Sequence, residues 1–393
     1  MVLTNEILSL ARQHEQWRQA CINLIPSENV TSAAVRSLLS SEFGHRYTSK
    51  DKFYMGTRFL DEVETKGEEL ATRVFGSETA DLQPLSGHTA DLIYLSCFTK
   101  PGDTILCVSQ ADGGYPGIWK QGAPKFLRLK VVGFPFSKSS MNIDLKKTIS
   151  LMMKEKPQVV IFGASLFLFP HPVEELARVA REINAHVGYD GSHVLGLIAG
   201  EKFQDPLHEG ASVLFGSTHK SFFGPQGGVI LADKEHGEII KSQIHPGLVD
   251  NAHWNRIAAL TLALAETLKF GKSYATQVVT NAQVLAKALA EKGFPVACRN
   301  LGYTKSHQVF LEFGGYKRGY RVARKLEKAN IIVDSLVRVG VCEVTRRGMK
   351  KAEMNRIAEL MERAVVKGEK PEKISNDVER FMEDFQEIKY CFE

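Results

Sequence analysis

No stretch of this 393-residue chain is apolar enough to span a bilayer. The longest strongly apolar run, PQVVIFG at 157–163, is far shorter than the roughly 20 residues a spanning helix needs. The first residues, MVLTNEILSLARQHEQWRQ, are charged throughout and lack the apolar core of a secretory leader. Cysteine is sparse: Cys21, Cys97, Cys107, Cys298, Cys342 and Cys391 form no C-x-x-C pair, so neither a zinc site nor a disulfide framework is expected. Charge of one sign is also lacking. Lys+Arg is 50 against Asp+Glu 45, and a net +5 over this length does not make a nucleic-acid surface. Gly (32) and Pro (14) are at ordinary levels, which excludes collagen-like and low-complexity classes. There is no repeat of 20–50 residues and no Ser/Gly-rich or Pro-rich linker. What remains is 44% hydrophobic, with 22 Phe, 10 Tyr and 3 Trp, enough for a sizeable core in two domains. A soluble, cytoplasmic, metabolic protein is expected, with neither nucleic acid nor membrane as partner.

Residues 1–20 read as an amphipathic helix with apolar Ile7, Leu8, Leu10, Ala11 and Trp17, and 31–43 and 62–75 also read as helical, the latter stopped by Gly76. From about 80 to 235 apolar runs (DTILCVS, PQVVIFGAS, AHVGYD, ASVLFGS, GGVILAD) alternate with helical stretches (TADLIYLSCF, DLKKTISLMMKEK, VEELARVAREI). That alternation predicts an α/β sandwich around a mostly parallel sheet. Ligands of such sheets sit in loops beyond the strand ends. Residues 253–294 read as a long helix. After it QVFLEF reads as a strand, YRVARKLEKAN as a helix, NIIVDSLVRVG as strand and loop, and 351–367 as a helix, together a small α+β domain. The last stretch carries Val378, Phe381, Met382 and Phe385 on one side of a closing helix. The expected division is an N-terminal helical arm (1–48), a large domain (49–272) and a small C-terminal domain (273–393).

The most informative segment is ASVLFGSTHKSFFGPQGG at 211–228. A strand runs into Ser217 and Thr218, then His219-Lys220, then a Gly-rich turn. A lysine just past a buried strand is desolvated, which lowers its pKa and makes its amine a nucleophile for carbonyls. Alone, the tetrapeptide also fits an ordinary loop lysine, and context decides. Thirty residues upstream a strand ends at Asp190, followed by Ser192 and His193. A carboxylate there can hold a pyridinium nitrogen protonated, so that the ring acts as an electron sink. Further upstream, Ser86-Gly87-His88-Thr89 opens a helix, where backbone N–H groups and hydroxyls bind a phosphate. Taken singly, that segment is an ordinary N-cap. In the order phosphate loop, Asp, Lys, the three specify pyridoxal 5′-phosphate in a fold-type-I enzyme.

NLIPSENVTSAAV, KFYMG, PLSGHTAD, PGDTIL, GGYPG, YDGSHVLGLIAG, STHKSFFGPQGG and VRVGVCEVTRRGM occur in the order found in serine hydroxymethyltransferases, and the chain resembles that family over nearly its whole length. The resemblance implies a large domain built on a mostly parallel seven-stranded sheet, a small C-terminal domain, and a homodimer. It implies that Lys220 links covalently to the cofactor's aldehyde and that Asp190 pairs with the pyridine nitrogen. His193 and Ser165 would lie by the phenolic oxygen, with Ser86, Gly87 and His88 on the phosphate. Ser217 and His219 join the cofactor set beside Lys220. Tyr115 falls where the family stacks a His on the ring, and a flat aromatic face can still cover the pyridine. Tyr47 and Gly247 would reach the phosphate across the dimer interface. Arg338, a planar guanidinium, would grip the substrate carboxylate bidentately, assisted by Ser27. Tyr54, in KFYMG, would act on the substrate as a binding and catalytic residue. No metal is implied.

The departures fall on the carrier side. The family places a Glu that handles the substrate hydroxyl and contacts folate in E-G-Y-P-G, but HRYTSKDKFYMG (45–56) has Ser49 or nothing there, and Glu28 belongs to the separate S-E-N segment. The Asn-Lys-Asn stretch and proline-bearing loop before the carboxylate Arg are reduced to VDSLVRVG. Gly340-Val341-Cys342, followed by Glu343, stands for G-T-P, and Phe222-Phe223 and Gln226 replace residues that include two arginines. The implied function is cleavage or formation of the Cα–Cβ bond of a β-hydroxy-α-amino acid. That is serine/glycine interconversion with a pterin carrier, or a folate-independent threonine-type aldolase or transaldolase. Another reaction of the same cofactor, racemisation or transamination, shares these residues. A non-catalytic binding protein would not need Lys220, Asp190 and Arg338 together.

Overall fold

Seven strands make one sheet in the computed structural model, which describes residues 2–49 and 53–392. They are β1 (Thr79–Asp81), β2 (Thr104–Cys107), β3 (Lys130–Gly133), β4 (Val159–Phe162), β5 (His186–Asp190), β6 (Val213–Ser217) and β7 (Gly228–Ala232). Their spatial order is β1-β7-β6-β5-β4-β2-β3. Neighbours run parallel except at β7, which is antiparallel to both β6 and β1. The exception has a local cause. β6 and β7 are joined by residues 218–227 with no helix between them, and a short connection makes an antiparallel pair, whereas parallel neighbours need a crossover.

The helices Gly87–Phe98, Leu145–Glu155 and Val173–Glu182 carry the chain between strands of this sheet, and the last joins the parallel neighbours β4 and β5. Every residue of β4, β6 and β7 is buried, which is why these strands read as continuous apolar runs and not as alternating ones. The two edge strands, β1 and β3, are absent from the five runs picked out by hydropathy. Each is short, and β3 has no fully buried residue. An edge strand with little to bury leaves little apolar signal.

The chain groups into two units. The first comprises residues 29–276 and the C-terminal end from Tyr390, and it contains the sheet. The second comprises residues up to Glu28 and Gln277–Lys389. The 38-residue helix Trp254–Glu291 carries the chain from one to the other. In the second unit Ile22–Asn23 pairs in parallel with Ile331–Ile332, and Gln308–Phe310 pairs antiparallel with Arg338–Gly340. The helix Pro371–Glu383 buries Ile374, Val378 and Met382 completely, while Phe381 and Phe385 pair at 5.1 Å and stay half-buried. Glu343 is a buried structural charge. It accepts from Arg347 Nε (3.0 Å) and Asn23 Nδ2 (2.9 Å), and burial raises its carboxyl pKa against the pull of Arg347. The N-terminal helix Val2–Gln19 leaves Ile7, Leu8 and Leu10 exposed. Among the described residues no helix is long and apolar enough to cross a membrane, and no cluster of His, Cys, Asp or Glu could hold a metal ion.

Candidate active site

The site forms where the carboxyl ends of β5 and β6 meet the start of the helix Gly87–Phe98. Asp190 closes β5, buried, and its Oδ1 accepts the Ser192 N–H at 2.9 Å. Ser192 Oγ accepts the Ser217 N–H (2.9 Å) and the Ser217 hydroxyl (3.3 Å), stitching the ends of β5 and β6 together. Beyond Ser217 the chain turns back at once. Thr218 N–H donates to the Gly227 carbonyl (3.1 Å) and its hydroxyl to the Pro225 carbonyl (2.7 Å), so Lys220 sits in a closed loop with limited freedom. Asn29 Nδ2 donates to the Lys220 carbonyl (2.8 Å) and to the Tyr274 hydroxyl (2.9 Å), which ties this loop to the long helix.

Ser86 and Gly87 open the helix beside the cavity, which Gly87 lines and Ser86 does not. Ser86 N-caps the helix, its hydroxyl accepting the Thr89 N–H at 3.0 Å. Gly87 packs so closely on β6 that an added Cβ would lie 2.2 Å from Ser217 Oγ and 2.8 Å from Ser217 N. His88 projects from the same turn, and its ring meets the Tyr115 ring edge-on at 5.9 Å and 78°. One cavity is lined by Gly87, His88, Tyr115, Ser165, Asp190, His193, Ser217 and Lys220, and also by Ser192, Ala164 and Asp91. Burial above all pushes the Tyr115 hydroxyl up to about 12. His219 lies outside that lining, and burial followed by the Lys220 charge pushes its ring down to about 4, so it is neutral at physiological pH.

The serine hydroxymethyltransferase family profile matches residues 2–361. The chain is 45% identical to the serine hydroxymethyltransferase of Methanocaldococcus jannaschii over 97% of its length and 94% of the relative's. The enzyme of the same description from Thermococcus kodakarensis is 43% identical, covering 99% and 96%. This protein belongs to the serine hydroxymethyltransferase family. Its fold is that of the type I pyridoxal-phosphate enzymes. It superposes on the L-threonine transaldolase of Pseudomonas fluorescens with a TM-score of 0.92 and 25% identity, over 99% of this chain and 94% of that one. Like other members of the family it is a pyridoxal-phosphate-dependent hydroxymethyltransferase.

The cavity fits that cofactor. It offers an amine in a constrained loop, a carboxylate at a strand end, an aromatic face, and helix-start N–H groups approached over a glycine that admits no side chain. Other members of the family set lie elsewhere. Tyr47 and Tyr54 meet as tilted rings, 5.6 Å apart at 41°, on the exterior of the sheet unit and do not line the cavity, and Gly247 is exposed with open space where a Cβ would lie. In the loop 45–56, Lys50, Asp51 and Lys52 lie outside the described residues. Ser27 and Arg338 belong to the second unit. There Asp334 fixes Arg338, accepting from its Nε at 2.7 Å and its backbone N–H at 3.0 Å. The Arg338 strand runs against the arm that carries Ser27, with Gly340 N–H donating to the Leu24 carbonyl at 2.8 Å.

Two residues escape the sequence reading. Asn29 sits in the quoted S-E-N segment, but nothing local tells that its amide would reach Lys220. Asp91 had a visible signal, a lone acid among apolar residues one helical turn after the phosphate loop.

Proposed function

We propose that this protein interconverts serine and glycine, passing the hydroxymethyl carbon to and from a tetrahydrofolate-type pterin. The observation that carries the reading is the convergence of Lys220, Asp190 and the Gly87–His88 turn on one cavity, in a chain 43–45% identical to serine hydroxymethyltransferases. In this reading Ser86, Gly87 and His88 hold the cofactor phosphate with N–H groups and hydroxyls. Asp190 pairs with the pyridine nitrogen, Lys220 binds the aldehyde, and Tyr115 covers the ring. Ser165 and Ser217 complete the wall, with His219 behind it next to Lys220. When bound, pyridoxal phosphate draws off the electron pair that a breaking Cα–Cβ bond leaves behind. Arg338, assisted by Ser27, anchors the substrate carboxylate, and that anchor sets which bond at Cα stands perpendicular to the ring. His193 holds the proton of the β-hydroxyl, with Tyr54 acting on the same end of the substrate.

The active assembly in this reading is a cytoplasmic homodimer, in which Tyr47 and Gly247 complete the phosphate site of the other subunit. Exposed apolar side chains support it: Ile7 (60%), Leu10 (59%), Phe53 (74%) and Met55 (88%) are more than a single soluble chain leaves uncovered without use.

A second reading is folate-independent cleavage of a β-substituted hydroxy amino acid. The transaldolase likeness and the absence of a Glu from 45–56 favour it. Steady-state cleavage of serine and threonine across a tetrahydrofolate titration separates the two. Saturable stimulation of serine cleavage is the expected result; serine cleavage that the carrier does not accelerate, with threonine cleavage retained, would replace the first reading with the second. Racemised or transaminated products would overturn both. Borohydride reduction followed by peptide mapping tests the site, and a label anywhere but Lys220 refutes it.

A further inference from the structure

Asp91 has no part in that scheme, yet it lines the same cavity. It lies one turn into a helix that continues as Leu92-Ile93-Tyr94-Leu95, and its side chain is 2% exposed. Its Oδ1 is buried and finds no hydrogen-bond partner among the described residues. The basic atom recorded near Oδ2 is His88 Nδ1, at 3.9 Å, beyond hydrogen-bond reach and on a half-exposed ring.

Asp190 is the other carboxyl of the cavity, and the two differ in what holds them. Asp190 accepts a backbone N–H at 2.9 Å, whereas the buried Oδ1 of Asp91 accepts nothing among the described residues. Two carboxyls in one desolvated pocket do not both ionise cheaply, and the one without donors keeps the proton. The groups facing Asp91 do not offset its charge. Tyr115, on the loop after β2, and Cys107, at the end of β2, are each pushed up to about 12 by burial above all, so both stay neutral at physiological pH. His193, at the end of β5, is buried in the same wall. Lys220 is the opposing cation, and its amine is taken up once the cofactor is attached. Burial, then the Asp190 charge, holds the Asp91 carboxyl well above the usual range, with Lys220 pulling the other way.

We propose that Asp91 is the protonated partner of an Asp91–Asp190 pair and serves as a positioning residue that turns an un-ionised O–H donor into the cofactor pocket. This rests on the assignment of pyridoxal phosphate to that cavity. The function of the proton is to leave Asp190 as the one anion there, so that the charge opposite the pyridine nitrogen is not doubled.

The test is infrared spectroscopy of the holoenzyme at neutral pH with isotopically labelled aspartate. The expected result is a protonated-carboxyl C=O band that shifts in D2O and is missing in Asp91→Asn. Asn is a neutral donor of the same shape. It should therefore leave the pH midpoint of the bound cofactor's absorbance where it is in the wild type, while Asp91→Ala, which loses the donor, should weaken cofactor affinity about tenfold. Absence of the band from the wild type overturns the proposal without need of a variant. So does a midpoint moved by a unit or more in Asp91→Asn, because that would mean a charge had been removed. Borohydride mapping run alongside separates the two failures. A label away from Lys220 refutes the cofactor assignment, and the infrared band, measurable also on the apoprotein, decides the state of Asp91 either way.

Discussion

Replacing Gly87 with alanine tests the phosphate end of the pocket from within the fold. Gly87 is not among the glycines with positive φ, so conformation is not what requires it. Space is. An added Cβ would meet Ser217 Oγ at 2.2 Å, Ser217 N at 2.8 Å and Ser192 Oγ at 3.1 Å, against ordinary contacts of 3.4 Å and more. The serine hydroxyl can rotate away, but the backbone nitrogen cannot, because it sits in β6 and is bonded to Ser192 Oγ at 2.9 Å. The helix start must therefore move off the strand. Overpacking of this kind costs about 1–3 kcal/mol, partly offset by up to about 1 kcal/mol from the better helix propensity of alanine. Apoprotein stability should fall by roughly 1–2 kcal/mol on that balance. Cofactor affinity should fall further, because the displaced turn carries the N–H donors for a phosphate. Losing one or two charge-assisted hydrogen bonds at about 1.5–3 kcal/mol each predicts binding weaker by about one to four orders of magnitude. Titration calorimetry of the apoprotein with pyridoxal phosphate, together with urea unfolding, measures both. An alanine variant with affinity within twofold of the wild type would show that this turn does not hold the phosphate.

Burial pushes the His171 ring down to about 3, so the folded protein keeps it neutral while the unfolded chain takes up a proton near pH 6.5. Stability is thus present above pH 6.5 and lost as pH falls, by about 1.4 kcal/mol per unit, and His171→Asn should flatten that acid limb in urea unfolding compared between pH 7 and 5; identical limbs would refute the assignment. Arg338→Ala should abolish serine and threonine cleavage alike, since one lost charged pair costs roughly 2–5 kcal/mol. Asp334→Ala, which frees the guanidinium without removing it, should raise the KM for amino acid about tenfold with a smaller change in kcat, and unchanged kinetics would show that its bonds at 2.7 and 3.0 Å do not aim Arg338. In light scattering the protein should run as a homodimer, and Leu10→Glu should shift it toward monomer; a monodisperse active monomer would remove the need for Tyr47 and Gly247 from a second subunit.

The parts of this molecule that could be read from sequence are those whose signal is local. Central strands buried on both faces carry runs of apolar residues, so β4, β5, β6 and β7 stand out, whereas the edge strands β1 and β3 do not. The cofactor set was legible for a related reason. A phosphate loop is a helix start, Asp190 is a strand end and Lys220 follows a strand end, and each is a feature of a few consecutive residues. Asn29 and Asp91 are different. The Asn29 amide matters because it lies between the Lys220 carbonyl and the Tyr274 hydroxyl, partners 191 and 245 residues away in the chain. Asp91 matters because Asp190, from a strand two crossovers later, shares its cavity and has the hydrogen-bond donor that Asp91 lacks. Neither fact has a sequence pattern, because each is a property of where distant segments meet. The same reasoning explains why a buried acid one turn into an apolar helix is fully informative only after folding. Before it, Asp91 is a lone acid among apolar residues one turn past an N-cap, with nothing to show what it faces. Afterwards it is a carboxyl with no donor, opposite one that has its own, and that difference decides which of the two carries the charge.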